Sequence, residues 1–417
     1  MQRKNLDSEN NDETTITISK SAGKQSVPRN KSPNSSHIVT ADSVQAEEVP
    51  TIPLSSLQTL SALEPEVAVR SVTTTDSVHL PPPLVVQPSE YQRDLGEWLQ
   101  FWWEGIRPTY VLLAILPVLL GTLLAWVQTL SSKTPFGLFH WQHFLGTLVV
   151  VIALQTGANL VNDYYDYIRG IDTGNSLGPG GLIQQGFIRP THVLNVGLVC
   201  LLLGGLLGAI VAFSGGPFVY LFGIIGLLGA FFYSATSRAL SSIVLGELAS
   251  FIIYGPLLTF GAYMVQAGGP PYRTSFVSIL LYSLLPALLT TAVVHVNNMR
   301  DIETDTQARK LTLASLLGLR WSRVLYVILV LGVYPIVAAI GFPHGAPHLV
   351  LITFWTLPTL VVALSGVLRA DMPASLHLAM RETLKLSTYF ALLLIAALLI
   401  TALWAVLSHL PTNILPI

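Results

Sequence analysis

The chain has 417 residues, of which 51% are hydrophobic and only 11% charged, with a formal net charge of −1. That balance excludes an ordinary soluble protein of this length and fits a polytopic membrane protein. It leaves no basic footprint for nucleic acid, and the lone cysteine, Cys200, excludes a disulfide within the chain and reads as packing.

Residues 1–90 are rich in Ser, Thr, Asn and Pro, and the first aromatic residue is Tyr91. Such a segment buries too little apolar surface to offset its ordering entropy, so a disordered polar tail is expected. It lacks the apolar run of a signal peptide, and Asp7, Asp12 and Glu13 argue against a transit peptide. In "YQRDLGEWLQFWW", Trp98, Phe101 and Trp102 fall on one helical face. Residues 91–106 are therefore expected to lie in the membrane interface, ahead of a membrane domain over 107–410.

A helix needs about 20 apolar residues to cross the hydrocarbon. Nine runs qualify, near 108–130, 142–162, 192–213, 217–234, 240–266, 275–298, 321–342, 348–369 and 385–408. The fold class is all-α, a polytopic bundle of nine transmembrane helices. One set of loops carries Arg169, Arg189, Arg238, Arg300, Arg309, Lys310, Arg320, Arg323, Arg369, Arg381 and Lys385; the other carries Lys133 and Arg273. The positive-inside rule makes the first set cytoplasmic in a cell membrane, with the N-terminus inside and the C-terminus outside.

Two acidic stretches close the second and sixth runs on that side. They are "NDYYDYIRGID" (162–172) and "NNMRDIETD" (297–305). Gln155, Asn159, Asn162 and Asp166 step by 4, 3, 4, as do Val294, Asn298, Asp301 and Asp305. Such steps keep residues on one helical face. A carboxylate at the centre of a membrane helix costs roughly 2.5–3.5 kcal/mol even on the lenient insertion scale, so these faces must look into a protein interior or wet cavity. If the two runs are neighbours, Asp163, Asp166, Asp172, Asp301 and Asp305 converge, with Glu303 nearby. Two such charges about 6 Å apart repel by roughly 3 kcal/mol at an effective dielectric near 20. Arg169, Arg300 and Lys310 offset this in part, and protonation or a divalent cation must supply the rest. All-oxygen ligation suits Mg²⁺, which commonly binds through a few carboxylates plus substrate phosphates. "GPGGLIQQG" (178–186) and "ARKLTLA" (308–314) offer backbone N–H groups or a cation to phosphate.

Asn159, Asn162, Asn297 and Asn298 share the carboxylate face and are expected to act with it. Glu247 lies inside the fifth run and His295 one turn before the second motif. Each is a functional candidate as an ionisable residue inside a span, against a plain reading as a helix-bridging hydrogen bond. Tyr164 and Tyr165 are candidates to face a cation, against a plain reading as interfacial tyrosines. A secondary transporter with the Asp cluster as a cation site is the rival from another class. Carboxylates clustered at one membrane edge beside phosphate-friendly loops favour an enzyme.

These two motifs resemble the aspartate-rich motifs of the UbiA superfamily of intramembrane aromatic prenyltransferases. The resemblance covers residues 105–408. "RPTYVLLAILPVLLGTLLA", "NLVNDYYDYIRGIDT", "GELASFIIYGPLLTFGAYM" and "NNMRDIETDTQARKLTLA" look like its 1,4-dihydroxy-2-naphthoate branch. The resemblance implies nine helices around a central cavity. It also implies Mg²⁺ and a polyprenyl diphosphate held by Asp163, Asp166, Asp301 and Asp305, with Asp172 in the third acidic place. Asp172 follows Asp166 by six residues, as in naphthoate-type relatives, where many others have four. "GPGG" and "QQG" stand where such relatives often carry basic residues. Arg169, Arg300 and Lys310 would surround the diphosphate, and an electron-rich ring carbon of the aromatic acceptor would attack the allylic cation. 4-Hydroxybenzoate, homogentisate, haem and chlorophyllide are alternative acceptors within the superfamily.

Overall fold

The computed structural model describes residues 94–408 apart from 131–138, 172–182, 185, 187, 237, 272 and 344–346. The expected tail, the "GPGG" turn, Lys133 and the candidate ligand Asp172 lie outside the described residues. Twelve α-helices follow in order: α1 (Leu95–Ile106), α2 (Pro108–Gln128), α3 (Trp141–Ile168), α4 (Pro190–Gly215), α5 (Pro217–Phe232), α6 (Gly246–Ile252), α7 (Leu258–Ala267), α8 (Arg273–Arg300), α9 (Ile302–Gln307), α10 (Leu313–Gly341), α11 (Leu357–Arg369) and α12 (Pro373–Ser408). A π-helical turn, Ile253–Leu257, joins α6 to α7, and a 3-10 helix, His348–Thr356, leads into α11. Helices α2, α4 and α5 each open on a proline, whose missing N–H costs nothing at a helix start.

Among the described residues, eight helical segments are long and apolar enough to cross a membrane. They coincide with eight of the nine expected runs. The remaining run is α5, a 16-residue apolar helix, which spans about 24 Å at a rise of about 1.5 Å per residue. The fifth span starts at Gly246 rather than 240, because Leu240–Ser242 forms a 3-10 turn and Ile243 pairs with Leu311. The seventh starts at Leu313, where Thr312 and Ser315 form a reciprocal cap, and the ninth span starts at Pro373. Hydropathy finds the apolar run, whereas a helix continues into its charged flank until a cap stops it.

Packing divides the bundle into two halves of different character. On one side α2, α8, α10 and α12 share a large core that includes Leu124, Ile279, Leu285, Tyr326, Val333 and Phe390. Two buried polar pairs stitch it: Tyr326 to Thr383 and Tyr334 to Thr356, both at 2.8 Å. Small residues bring other helices close. A Cβ on Gly121 of α2 would lie 2.1 Å from the Thr259 carbonyl of α7, and one on Gly157 of α3 would lie 2.9 Å from the Gly197 carbonyl of α4. Such approach is how helices associate where lipid removes the hydrophobic drive. On the other side, α5 buries only Val219 among its residues. Its inner face borders the cavity described next.

Candidate active site

The cavity encloses about 250 Å³ between α2, α3, α4, α5, α7 and α8. Its polar end is built from the two acidic motifs. Helix α3 runs unbroken to Ile168, past Asp166, so Gln155, Asn159, Asn162 and Asp166 keep the shared face their spacing dictates, and all four line the cavity. They are bonded along that face. Gln155 donates to Asn159 at 2.9 Å and Asn162 to Asp166 at 2.6 Å. Asn159 in turn donates to the Ile106 carbonyl at 2.6 Å, and Asn162 accepts from Ser234 at 2.6 Å. Asp163 points elsewhere; it is buried in an ion pair with Arg107, outside the cavity wall.

The second motif departs from its expected face. Helix α8 ends at Arg300, and Asp301 takes φ −97°, ψ 9° before the short α9. Val294, Asn297 and Asp301 line the cavity, whereas Asn298 and Asp305 turn away. Asn298 donates to Glu247 at 2.9 Å, and Asp305 pairs with Lys310 at 3.1 Å. The equivalent units are therefore Asn162/Asp166 and Asn297/Asp301. In each, the amide donates to the carboxylate four residues on, at 2.6 and 3.3 Å. The step-matching that set Asn162 against Asp301 is thereby corrected: the residues facing the cavity pair Asn162 with Asn297 and Asp166 with Asp301.

Cations are seated among these carboxylates. From behind the wall, Arg300 grips Asp301 with two bonds, at 2.7 and 2.6 Å, and also reaches Asn297 at 3.1 Å and His377 at 3.2 Å. Arg107 and Lys310 both line the cavity. The described carboxylates Asp163, Asp166, Asp301 and Asp305 face Arg107, Arg300 and Lys310, four charges against three. Burial, aided by Asp301 and Asp166 against the pull of Lys310, pushes Asp305 up to about 6. Burial works against the Lys310 ammonium, but Asp166, Asp305 and Asp301 outweigh it and hold its pKa above the usual lysine value.

Five expected contacts fall outside the wall. Arg169 bonds the carbonyls of Ser234, at 2.7 Å, and Thr236, and lies over the Tyr165 ring at 5.4 Å. It closes the end of α3 instead of facing the cavity. Tyr164 and Tyr165 meet edge-on at 5.2 Å and pack into separate small cores. Glu247 and His295 bond each other at 3.1 Å, also outside the wall. The cavity's aromatic residues are instead Tyr110, Phe222, Tyr233 and Tyr254. Sequence reasoning passed over Arg107 and Tyr110, although "RPTY" at the head of the first span was their signal. Arg107 sits at φ 54° just before α2, in the left-handed region that a non-glycine residue seldom adopts. The Asn159 bond to the preceding carbonyl and the Asp163 ion pair secure it there.

Among the described residues, no three His, Cys, Asp or Glu side chains cluster closely enough to hold a metal unaided. The donor set nonetheless fits Mg²⁺. Two carboxylates, Asp166 and Asp301, face one cavity, each held by an asparagine amide, and Mg²⁺ characteristically takes one or two carboxylates plus substrate phosphates.

Away from the charges the cavity becomes an apolar groove. Its α5 wall runs from Tyr233 through Gly229, Gly226 and Gly223 to Val219, a length of roughly 21 Å at about 1.5 Å per residue. A Cβ on Gly223 would meet nothing within 4 Å. A polar, charge-lined head therefore opens into a narrow greasy channel.

The UbiA prenyltransferase family model matches residues 114–381. A 1,4-dihydroxy-2-naphthoate octaprenyltransferase of Bacillus subtilis is 30% identical, over 72% of this chain and 93% of its own length. One from Mycobacterium tuberculosis is 34% identical, over 58% of this chain and 79% of its own. Among solved structures, a UbiA homolog from Aeropyrum pernix in its apo form superposes with a TM-score of 0.53, at 13% identity, over 70% of this chain and 97% of that one. A UbiA homolog from Archaeoglobus fulgidus bound to GPP and Mg²⁺ gives 0.51 at 16% identity, over 71% and 99%. These last two share the fold.

Proposed function

The chain belongs to the UbiA prenyltransferase family, and we propose that it transfers a polyprenyl chain from its diphosphate to 1,4-dihydroxy-2-naphthoate, giving a demethylmenaquinol. The observation that carries this reading is a single cavity with paired Asn–Asp units at its head and an apolar groove behind. A diphosphate fits the first and an isoprenoid tail the second. Mg²⁺ held by Asp166 and Asp301 would neutralise the diphosphate and so make it a better leaving group. Arg107 and Lys310 place positive charge on the same wall, where it stabilises the departing oxygens. Asn162 and Asn297 hold the two carboxylates in place. Asp163 and Asp305 act from behind, each fixing the cation that faces the cavity. As the C–O bond of the donor breaks, an allylic cation remains between Tyr110, Tyr233 and Tyr254, whose ring faces favour it. The apolar walls exclude water that would quench it, and an acceptor ring carbon forms the new C–C bond. The acceptor carboxylate leaves as CO2 within the same overall reaction.

Acceptor choice is tested by competition. Purified protein given one prenyl diphosphate with 1,4-dihydroxy-2-naphthoate, 4-hydroxybenzoate and homogentisate should prenylate the naphthoate preferentially. Preference for a benzene-ring acid would reject the acceptor and leave prenyl transfer standing.

Gly223→Leu tests the groove. The helix tolerates leucine better than glycine by about 0.8 kcal/mol, and the new side chain enters open space. Stability should hold while long-chain donors lose about tenfold or more in kcat/KM relative to short ones. Equal use of both lengths would remove the tail from this groove.

The Lys and Arg excess in the loops at the motif end supports a cytoplasmic position for that end. With Cys200 replaced by Ala, a cysteine at exposed Gln307 should label from the cytoplasmic face and one at exposed Gln142 from the other. The reverse pattern would invert the topology.

A further inference from the structure

Two buried titratable side chains lie just outside the cavity wall. His295 on α8 is fully buried and Glu247 on α6 nearly so. His295 Nε2 lies 3.2 Å from the Ser322 carbonyl on α10. A carbonyl only accepts, so Nε2 carries a hydrogen and donates it. Nδ1 lies 3.1 Å from Glu247 Oε1, which also accepts from Asn298 at 2.9 Å. Two lone pairs cannot bond, so a proton sits between Nδ1 and Oε1. The pair is then either imidazolium with carboxylate or imidazole with carboxylic acid. Both forms are net neutral, and both hold one proton more than an imidazole beside a bare carboxylate. Net neutrality suits a site inside an apolar span. Glu247 Oε2 is buried without a hydrogen-bond partner, an arrangement folded proteins rarely keep without a use.

The pair stands one side chain behind the polar head of the cavity. Ser250, one turn beyond Glu247, lines the wall, as does Tyr233. A Cβ on Gly246 would lie 3.5 Å from the Tyr233 hydroxyl, so that hydroxyl packs against the residue beside Glu247. Helix α6 then widens into the π-helical turn at Ile253–Leu257, a feature that recurs at functional sites. The turn delivers Tyr254 to the same wall, where its hydroxyl donates to Gln155 at 2.6 Å. On α8, Asn298 is held by Glu247, next to the wall residue Asn297.

We propose that Glu247 and His295 form a proton-sharing positioning pair that sets Tyr233 to receive a hydroxyl of the aromatic acceptor. The proposal rests on the prenyl-transfer reading above. It ties acceptor recognition to the pair and leaves prenyl diphosphate binding to Arg107, Lys310 and the two aspartates.

The test compares KM for each substrate in full-length protein. Wild type that binds prenyl diphosphate but prenylates no aromatic acceptor would end the prenyl-transfer reading, and this proposal with it. Given wild-type transfer, Glu247→Gln keeps the shape and lets an amide donate to neutral imidazole, which removes the shared proton. Acceptor KM should rise about tenfold, with prenyl diphosphate KM and the melting temperature little changed, and Glu247→Asp should recover part of the loss. An unchanged acceptor KM in folded Glu247→Gln would overturn the proposal. So would an equal rise in both KM values, which marks a merely structural role. Should Glu247→Gln fail to fold, Tyr233→Phe reads the same link: an acceptor-selective loss supports it and a wild-type acceptor KM overturns it.

Discussion

Asp166→Ala and Asp301→Ala should each lower prenyl transfer about a hundred- to a thousandfold. The two carboxylates face the cavity from α3 and from the turn between α8 and α9, so neither can stand in for the other across the diphosphate. The loss should appear in kcat, and both variants should lose Mg²⁺-dependent binding of prenyl diphosphate. Asp301→Ala also strips the buried Arg300 of its bidentate partner. Asp301→Asn is therefore the control that separates lost chemistry from lost packing. Size-exclusion chromatography in detergent checks the fold. Full turnover in a chelator, or a robust Asp301→Ala enzyme, would reject the metal assignment.

Arg107→Met should be the most destabilising single change near the site. Asp163 is buried against the Arg107 guanidinium, and removing one partner of a buried ion pair typically costs about 3–5 kcal/mol. The double variant Arg107→Met/Asp163→Leu takes away both charges and should regain most of the melting temperature. Activity should stay low in both, because Arg107 also faces the cavity. Thermal unfolding and turnover measured on the double-mutant cycle give the coupling. A single variant as stable as wild type would show that the pair does not anchor the head of α2. A fully active double variant would remove Arg107 from the diphosphate site.

Both predictions begin from residues whose importance is unequally visible in one dimension. Asp166 stands out because α3 is a regular helix as far as Ile168. Periodicity alone put Gln155, Asn159, Asn162 and Asp166 on one face, and the hydrogen bonds along it follow. The same rule misassigned Asp305, because a period of 3.6 holds only while the helix lasts, and α8 stops at Arg300; Asn298 lies within α8, where spacing alone does not fix which side of the helix meets the cavity. Arg107 carried a weaker signal, an arginine ahead of a proline. Its partner Asp163 lies 56 residues along the chain.

Composition and hydropathy were sufficient for the class, the span positions and the two acidic units, since lipid imposes length and polarity rules that act on contiguous residues. Tertiary structure alone decided which cation meets which carboxylate. Arg107 rather than Arg169 faces the site, and Glu247 and His295 are bound to each other rather than set in the wall. It also decided that the glycine-lined face of α5 completes the groove. Those choices depend on distances between helices far apart in sequence, and spacing along a single helix holds no information about its neighbour's rotation.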